Sequence, residues 1–171
     1  MTTLLWDDVK DLFDPELMGS LPDLWVPDTS VHDWQSFLEL VVERGWKYRY
    51  TDDDAVVPLP PARIALSRSG LSELRVWPSD SVLTIFRFYA PDEIDFDVDL
   101  RELQGQERLD ILCDFLTVIG HRLGKPVLMY REGSRDHPVL GFDIRADRVV
   151  RLVEPVRDTC SSRTPPPSTP A

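Results

Sequence analysis

The stretch EIDFDVDLRELQGQERLDILCDFL, residues 93–116, changes its hydrophobic period midway, and that change decides the fold class. In its first part Glu93, Asp95, Asp97 and Asp99 alternate with Ile94, Phe96, Val98 and Leu100. A period of two belongs to a strand with one dry face and one wet one. Gln104-Gly105 breaks the alternation. Beyond it, Leu109, Leu112, Cys113, Leu116, Ile119 and Leu123 recur at spacings of three and four, so residues 106–123 are predicted as a helix. Ile111, Phe115 and Val118 widen its apolar side, so it is expected to be covered from more than one direction. Gly124 and Pro126 close it.

The same patterns extend outward. Residues 4–13 place Trp6, Val9, Leu12 and Phe13 at helical spacing before Pro15. Residues 14–29, punctuated by Pro15, Gly19, Pro22 and Pro27, read as a loop. Ser30 with Asp33 forms a weak capping box for a helix carrying Trp34, Phe37, Leu38, Val41 and Val42, and Gly45 ends it. WKYRY (46–50), ELRVW (73–77) and VLTIFRFY (82–89) read as strands, the last two joined as a hairpin at Pro78-Ser79-Asp80. Residues 58–69 are ambiguous, with Pro61 able to open a short helix that Gly70 would follow. VLMYRE (127–132), VLGFDI (139–144) and RVVRLV (148–153) look like a meander. Hairpin-length links between most strands predict an α+β fold: a mostly antiparallel sheet of about six strands, with two main helices on one face. Residues 1–155 are expected to form one domain. Residues 156–171, a Pro/Ser/Thr-rich tail, are predicted to be disordered.

Acidic charge is the strongest compositional fact. The 171 residues carry a net charge of −11. Residues 1–57 hold 13 acidic against 4 basic side chains, and residues 92–110 hold 8 against 2. A field of this sign repels nucleic acid and anionic membrane and attracts cationic partners. No apolar run approaches the roughly 20 residues of a membrane span. The acidic start, MTTLLWDDVKD, lacks the basic region of a signal peptide, so the expected location is the cytosol. Cys113 in an apolar helix pattern and Cys160 in the polar tail make no disulfide framework. The basic side chains are 16 Arg against 3 Lys, and Asn is absent, a usage associated with GC-rich bacterial genomes.

Chemical motifs are scarce. Asp95, Asp97 and Asp99 have the first three spacings of an EF-hand loop. Leu100 then stands where glycine is needed, and Gln106 where a bidentate glutamate is needed. Alternate carboxylates on a strand lie about 6.5–7 Å apart, which suits an inverting glycosidase or a shared metal, but no companion motif accompanies them. His32, His121 and His137 are scattered, and no phosphate-binding loop or nucleophile elbow occurs. No catalytic residue, metal or cofactor is therefore predicted. A row of like charges on one strand is unfavourable in itself, which fits either a solvated, edge-protecting face or a surface kept for a cationic partner.

The segments FDVDLRELQGQERLDILCDFL (96–116), GKPVLMYREG (124–133) and HPVLGFDIRADRVVRLV (137–153) resemble the small acidic immunity-type proteins that bacteria encode beside polymorphic toxins. The resemblance implies an α+β domain that blocks a cationic toxin surface by charge and shape, and it brings no residue-level site. The expected function is that of a non-enzymatic cytosolic protein binding a basic protein partner. Asp52, Asp53, Asp54, Asp95, Asp97, Asp99 and Trp25 are the expected contacts. The alternative is a small enzyme or small-molecule-binding domain with a pocket between helix 106–123 and the sheet.

Overall fold

A computed structural model describes residues 4–68 and 71–155. The expectations for Gly70, Cys160 and the tail 156–171 lie outside the described residues.

The chain is α+β, as predicted, but among the described residues its antiparallel sheet has nine strands rather than about six. In chain order the strands are β1 (Asp23–Pro27), β2 (Lys47–Asp52), β3 (Ala55–Val56), β4 (Ser72–Ser79), β5 (Val82–Arg87), β6 (Glu93–Val98), β7 (Val127–Met129), β8 (Leu140–Asp143) and β9 (Arg148–Arg151). Among the described residues five α-helices accompany them: α1 (Trp6–Val9), α2 (Pro15–Met18), α3 (Val31–Glu43), α4 (Ala62–Leu66) and α5 (Gln106–Leu123). Across the sheet the order is β3-β2-β4-β5-β6-β1-β7-β8-β9.

The largest departure from the sequence reading is β1. Residues 14–29 are not a loop: they hold α2, capped by Asp14, and then a strand at the middle of the sheet. Leu24 and Val26 are buried on one side of β1 and alternate with Asp23, Trp25 and Pro27. Prolines bracket this short alternation and mimic a loop. Both fall where a strand tolerates them, Pro22 just before β1 and Pro27 at its last position. β6 and β7 each run antiparallel to β1, so they are parallel to one another with β1 between them, and α5 makes the crossover. Smaller departures also have local causes. The predicted helix 4–13 breaks into α1 and a 3-10 turn at Lys10–Phe13, because Val9 leaves the helical region at ψ −1°. The strand predicted over 94–100 ends at Val98, where Asp99 caps a 3-10 turn.

Phe86, Phe96, Leu74 and Val76 project from β4–β6, and Phe88 from just past β5, onto the helical layer. Trp34 and Phe37 of α3 pack on Phe88 and Phe86, with ring centroids 4.6 and 4.3 Å apart, and Phe115 of α5 meets Phe96 edge-on. Trp34 also donates through Nε1 to the carbonyls of Ala90 and Glu93, tying α3 to the β5–β6 connection. The capping box of Ser30 and Asp33 forms as predicted, and Gly45 and Gly124 take the positive φ that ends their helices. The buried side chains make one contiguous core. No helix among the described residues is long and apolar enough to cross a membrane.

α5 approaches β8 so closely at Gly120 that a Cβ there would lie 2.1 Å from the ring of Phe142. Gly120→Val is expected to lower the unfolding free energy by about 2 kcal/mol or more through overpacking, read as a lower urea midpoint in circular dichroism.

Candidate functional site

The residues that alternate with the core positions form the opposite, helix-free face of the sheet. Strand register fixes their neighbours. Thr51, Glu73, Arg87, Asp95, Trp25 and Leu128 lie side by side across β2, β4, β5, β6, β1 and β7. Arg49, Arg75, Ile85, Asp97 and Asp23 form a second such row. In the second row charge grades from arginine on β2 and β4 to carboxylate on β6 and β1, whereas in the first Arg87 of β5 stands between Glu73 of β4 and Asp95 of β6. The first row ends in the half-buried Trp25 and Leu128, with the buried Tyr130 beside Trp25.

The carboxylates meet at the centre. Oxygen atoms of Asp23, Asp95 and Asp97 lie within 4.8 Å of one another. Asp97 accepts a charge-assisted hydrogen bond from Arg87, and Asp95 one from Arg135 of the β7–β8 connection. Asp95 is only 6% exposed. Burial pushes its carboxyl above the ordinary range, and the pull of Arg135 does not cancel this. Burial raises Asp97 as well, opposed by Arg87 and reinforced by the neighbouring Asp23. Asp23 has no ion-pair partner among the described residues. Three oxygen donors of this kind suit a hard cation such as magnesium or calcium. Two of them, however, are already engaged by guanidinium groups, so the cluster as built is a set of carboxylates shared between arginines.

The other expected contact residues scatter around this centre. Asp99 bonds to the backbone and side chain of Arg101, which hold its carboxyl below the ordinary range. Asp52 ends β2 and pairs with Arg68 at 3.2 Å. Asp53 and Asp54 are exposed in the β2–β3 turn, both with positive φ, as a two-residue hairpin turn requires. They border a hollow of about 520 Å3 that also holds Arg49, Arg75 and Arg87. Since Arg87 binds Asp97, the two acidic regions flank one arginine group on the same face. Trp25 is not an exposed loop residue. It sits half-buried in β1, 6.0 Å from Tyr130, and its Nε1 has no acceptor among the described residues. A buried donor in that state costs about 1–3 kcal/mol.

Sequence reasoning missed Asp23, Glu93 as a site residue, and Arg135. The alternation Asp23-Leu24-Trp25-Val26 carried the signal for the first. Nothing local marks Arg135, which reaches the site from a loop 40 residues away in sequence.

The interface between α5 and the sheet is filled by Phe86, Phe96 and Phe115. A groove of about 440 Å3 opens instead at its edge, between α5 and β9, lined in part by Leu4, Cys113, Val118, His121, Asp147 and Val149. His121 bonds to Asp147 there. Burial, then Asp110 and Asp114, push the Cys113 thiol up to about 12, so it stays protonated and is a poor nucleophile at neutral pH. Cys113 and His121 are eight residues apart on α5, about 12 Å of helical rise. Comparison with protein-family models and with curated proteins finds no match for this chain.

Asp23 faces Asp97 directly across β1 and β6. Asp23→Asn is therefore expected to stabilise the fold by about 0.5 kcal/mol in urea unfolding near neutral pH. A loss at neutral pH would mean that a cation already balances Asp23. The raised carboxyls of Asp95 and Asp97 favour the folded state when protonated. Their contribution is full below the unfolded pKa and is lost as pH rises through the folded one. Carboxyl-carbon NMR titration is expected to place both midpoints above those of Asp11 and Asp99, which Arg151 and Arg101 hold low.

Proposed function

We propose that this chain is a non-enzymatic cytosolic protein that recognises a basic protein partner through the helix-free face of its sheet. Occlusion of a cationic surface, as an immunity- or antitoxin-type inhibitor performs it, is the most concrete form. The observation that carries the reading is Asp23: a half-buried carboxylate opposite a second one, with no cation of its own among the described residues. A lysine or arginine side chain presented there would relieve a repulsion that the free protein retains. Asp53 and Asp54 rim the same face and would hold further cations in place, and the net charge of −11 would speed encounter with a basic partner.

One observation favours a second reading, a small-molecule-binding domain: the apolar groove between α5 and β9. The protonated thiol of Cys113 and its distance along α5 from His121 argue against nucleophilic catalysis in that groove.

The two readings separate in a capture experiment. Immobilised full-length chain is exposed to native lysate at about 0.1 M and then about 0.5 M salt, where screening is much stronger. The variants are Asp23→Asn with Asp97→Asn, Asp53→Asn with Asp54→Asn, and Asp114→Asn on the groove side. The expected result is a single basic protein, identified by mass spectrometry, that is retained at low salt and by Asp114→Asn. It should be lost at high salt and with either open-face pair. Capture that ignores the open-face pairs, or that depends on Asp114 instead, would overturn the proposal.

A further inference from the structure

Arg135 occupies its place in a way that resembles a ligand more than a structural ion pair. One guanidinium nitrogen donates to Glu93 Oε2 at 3.1 Å, and the other to Asp95 Oδ2. The guanidinium carbon lies 5.4 Å from the centre of the Trp25 ring, which in turn leans on Tyr130. Two carboxylates for the planar N–H fork and an aromatic face for the cation are the elements by which proteins select a guanidinium over an ammonium group.

The two sides of this contact are built differently. Trp25, Glu93 and Asp95 stand on β1 and β6 in direct register, Trp25 opposite Asp95 and Pro27 opposite Glu93, at the middle of the sheet. The Asp95 side chain at the floor is 8% exposed, whereas that of Arg135 at the mouth is 39% exposed. Arg135 arrives on the connection between β7 and β8. That connection is fastened at Glu132, whose N–H bonds to Met18, and again at Val139, whose N–H bonds to Met129. Between these points, among the described residues, the Ser134 N–H bonds only within the loop, to Arg131. Residues 135–138 reach the body by hydrogen bonds through the Arg135 side chain alone. Asp136 and His137 are exposed. A rigid receptor is thus filled by a tethered, displaceable group.

We propose that Trp25, Tyr130, Glu93 and Asp95 form a guanidinium-binding site, that Arg135 fills it in the free protein, and that an arginine side chain of the basic partner takes it over. The partner clause rests on the function proposed above; the chemistry of the site does not. Exchange keeps the buried Asp95 compensated throughout, since one guanidinium replaces another. It also releases the loop 133–138. Self-occupancy sets a threshold: an isolated arginine competes with a tethered one, and only a partner with additional contacts displaces it readily.

The test uses full-length Arg135→Ala, with its fold checked by circular dichroism and thermal melting. N-acetyl-arginine amide and N-acetyl-lysine amide are titrated in turn, following the Trp25 indole N–H and the amides of residues 93–95 by NMR. The arginine compound is expected to bind Arg135→Ala about tenfold or more tighter than the wild type, as for a site free less than about a tenth of the time, and tighter than the lysine compound. Trp25→Leu in the same background is expected to abolish the preference. If Arg135→Ala does not fold, Arg135→Lys takes its place, because an ammonium group holds the cradle less well than the competing guanidinium. Equal binding of the two compounds, no binding to the folded variant, or shifts confined to another face would overturn the proposal. Capture of a basic protein through Asp23, without arginine binding here, would defeat this inference alone. Arginine binding without any captured protein would keep the site and defeat the partner reading.

Discussion

Everything distinctive in this structure depends on the pairing of one five-residue strand. β1 enters between β6 and β7 and bonds to both, and without it the sheet is two sheets: β3-β2-β4-β5-β6 on one side and β7-β8-β9 on the other. Its inward residues, Leu24 and Val26, continue the aromatic and aliphatic core across that junction. Its outward residues, Asp23 and Trp25, turn a row of aspartates into a site. The same hydrogen-bonded ladder therefore holds the core together and defines the chemistry of the exposed face.

That face shows why net charge is a poor guide to where charge acts. The chain is strongly acidic, yet Asp95, Asp97, Asp99 and Asp52 each have an arginine at hand. The carboxylates that remain uncompensated are fewer and differently placed than a count along the chain suggests. Burial, reinforced by like charges in register, raises the free energy of the ionised face, and the arginines offset this only in part, as the raised carboxyls of Asp95 and Asp97 record. A surface left in that condition is responsive: any added cation changes the balance among all three aspartates at once.

Long, strongly periodic elements were legible in the sequence. The helices around Trp34 and Leu112, the capping box at Ser30, the glycine stops at Gly45 and Gly124 and the strand β6 all follow from local patterns, and all occur, although Asp95 of the expected wet face is buried. β1 was not legible, because the four residues between Pro22 and Pro27 supply too few periods to outweigh the loop signal of proline itself. Its central position comes from long-range pairing, which no local window contains. The candidate site was half legible for the same reason. Asp95 and Asp97 stood out by alternation, whereas Asp23 and Arg135 join them only through strand register and a loop excursion. Arg87 on the neighbouring strand β5 supplies Asp97 with a partner that the pairing of β5 with β6 brings within reach.

The central place of β1 also bears on the order in which the chain is made. Trp25 leaves the ribosome about 70 residues ahead of Asp95 and about 100 ahead of Leu128, which at about 5–20 residues per second is a wait of several seconds or more. During that interval the strand has no neighbour on either edge, and its apolar side is uncovered. The acidic segments around it, from Asp7 to Asp28, give the nascent chain a like-charge repulsion against its own copies on a polysome.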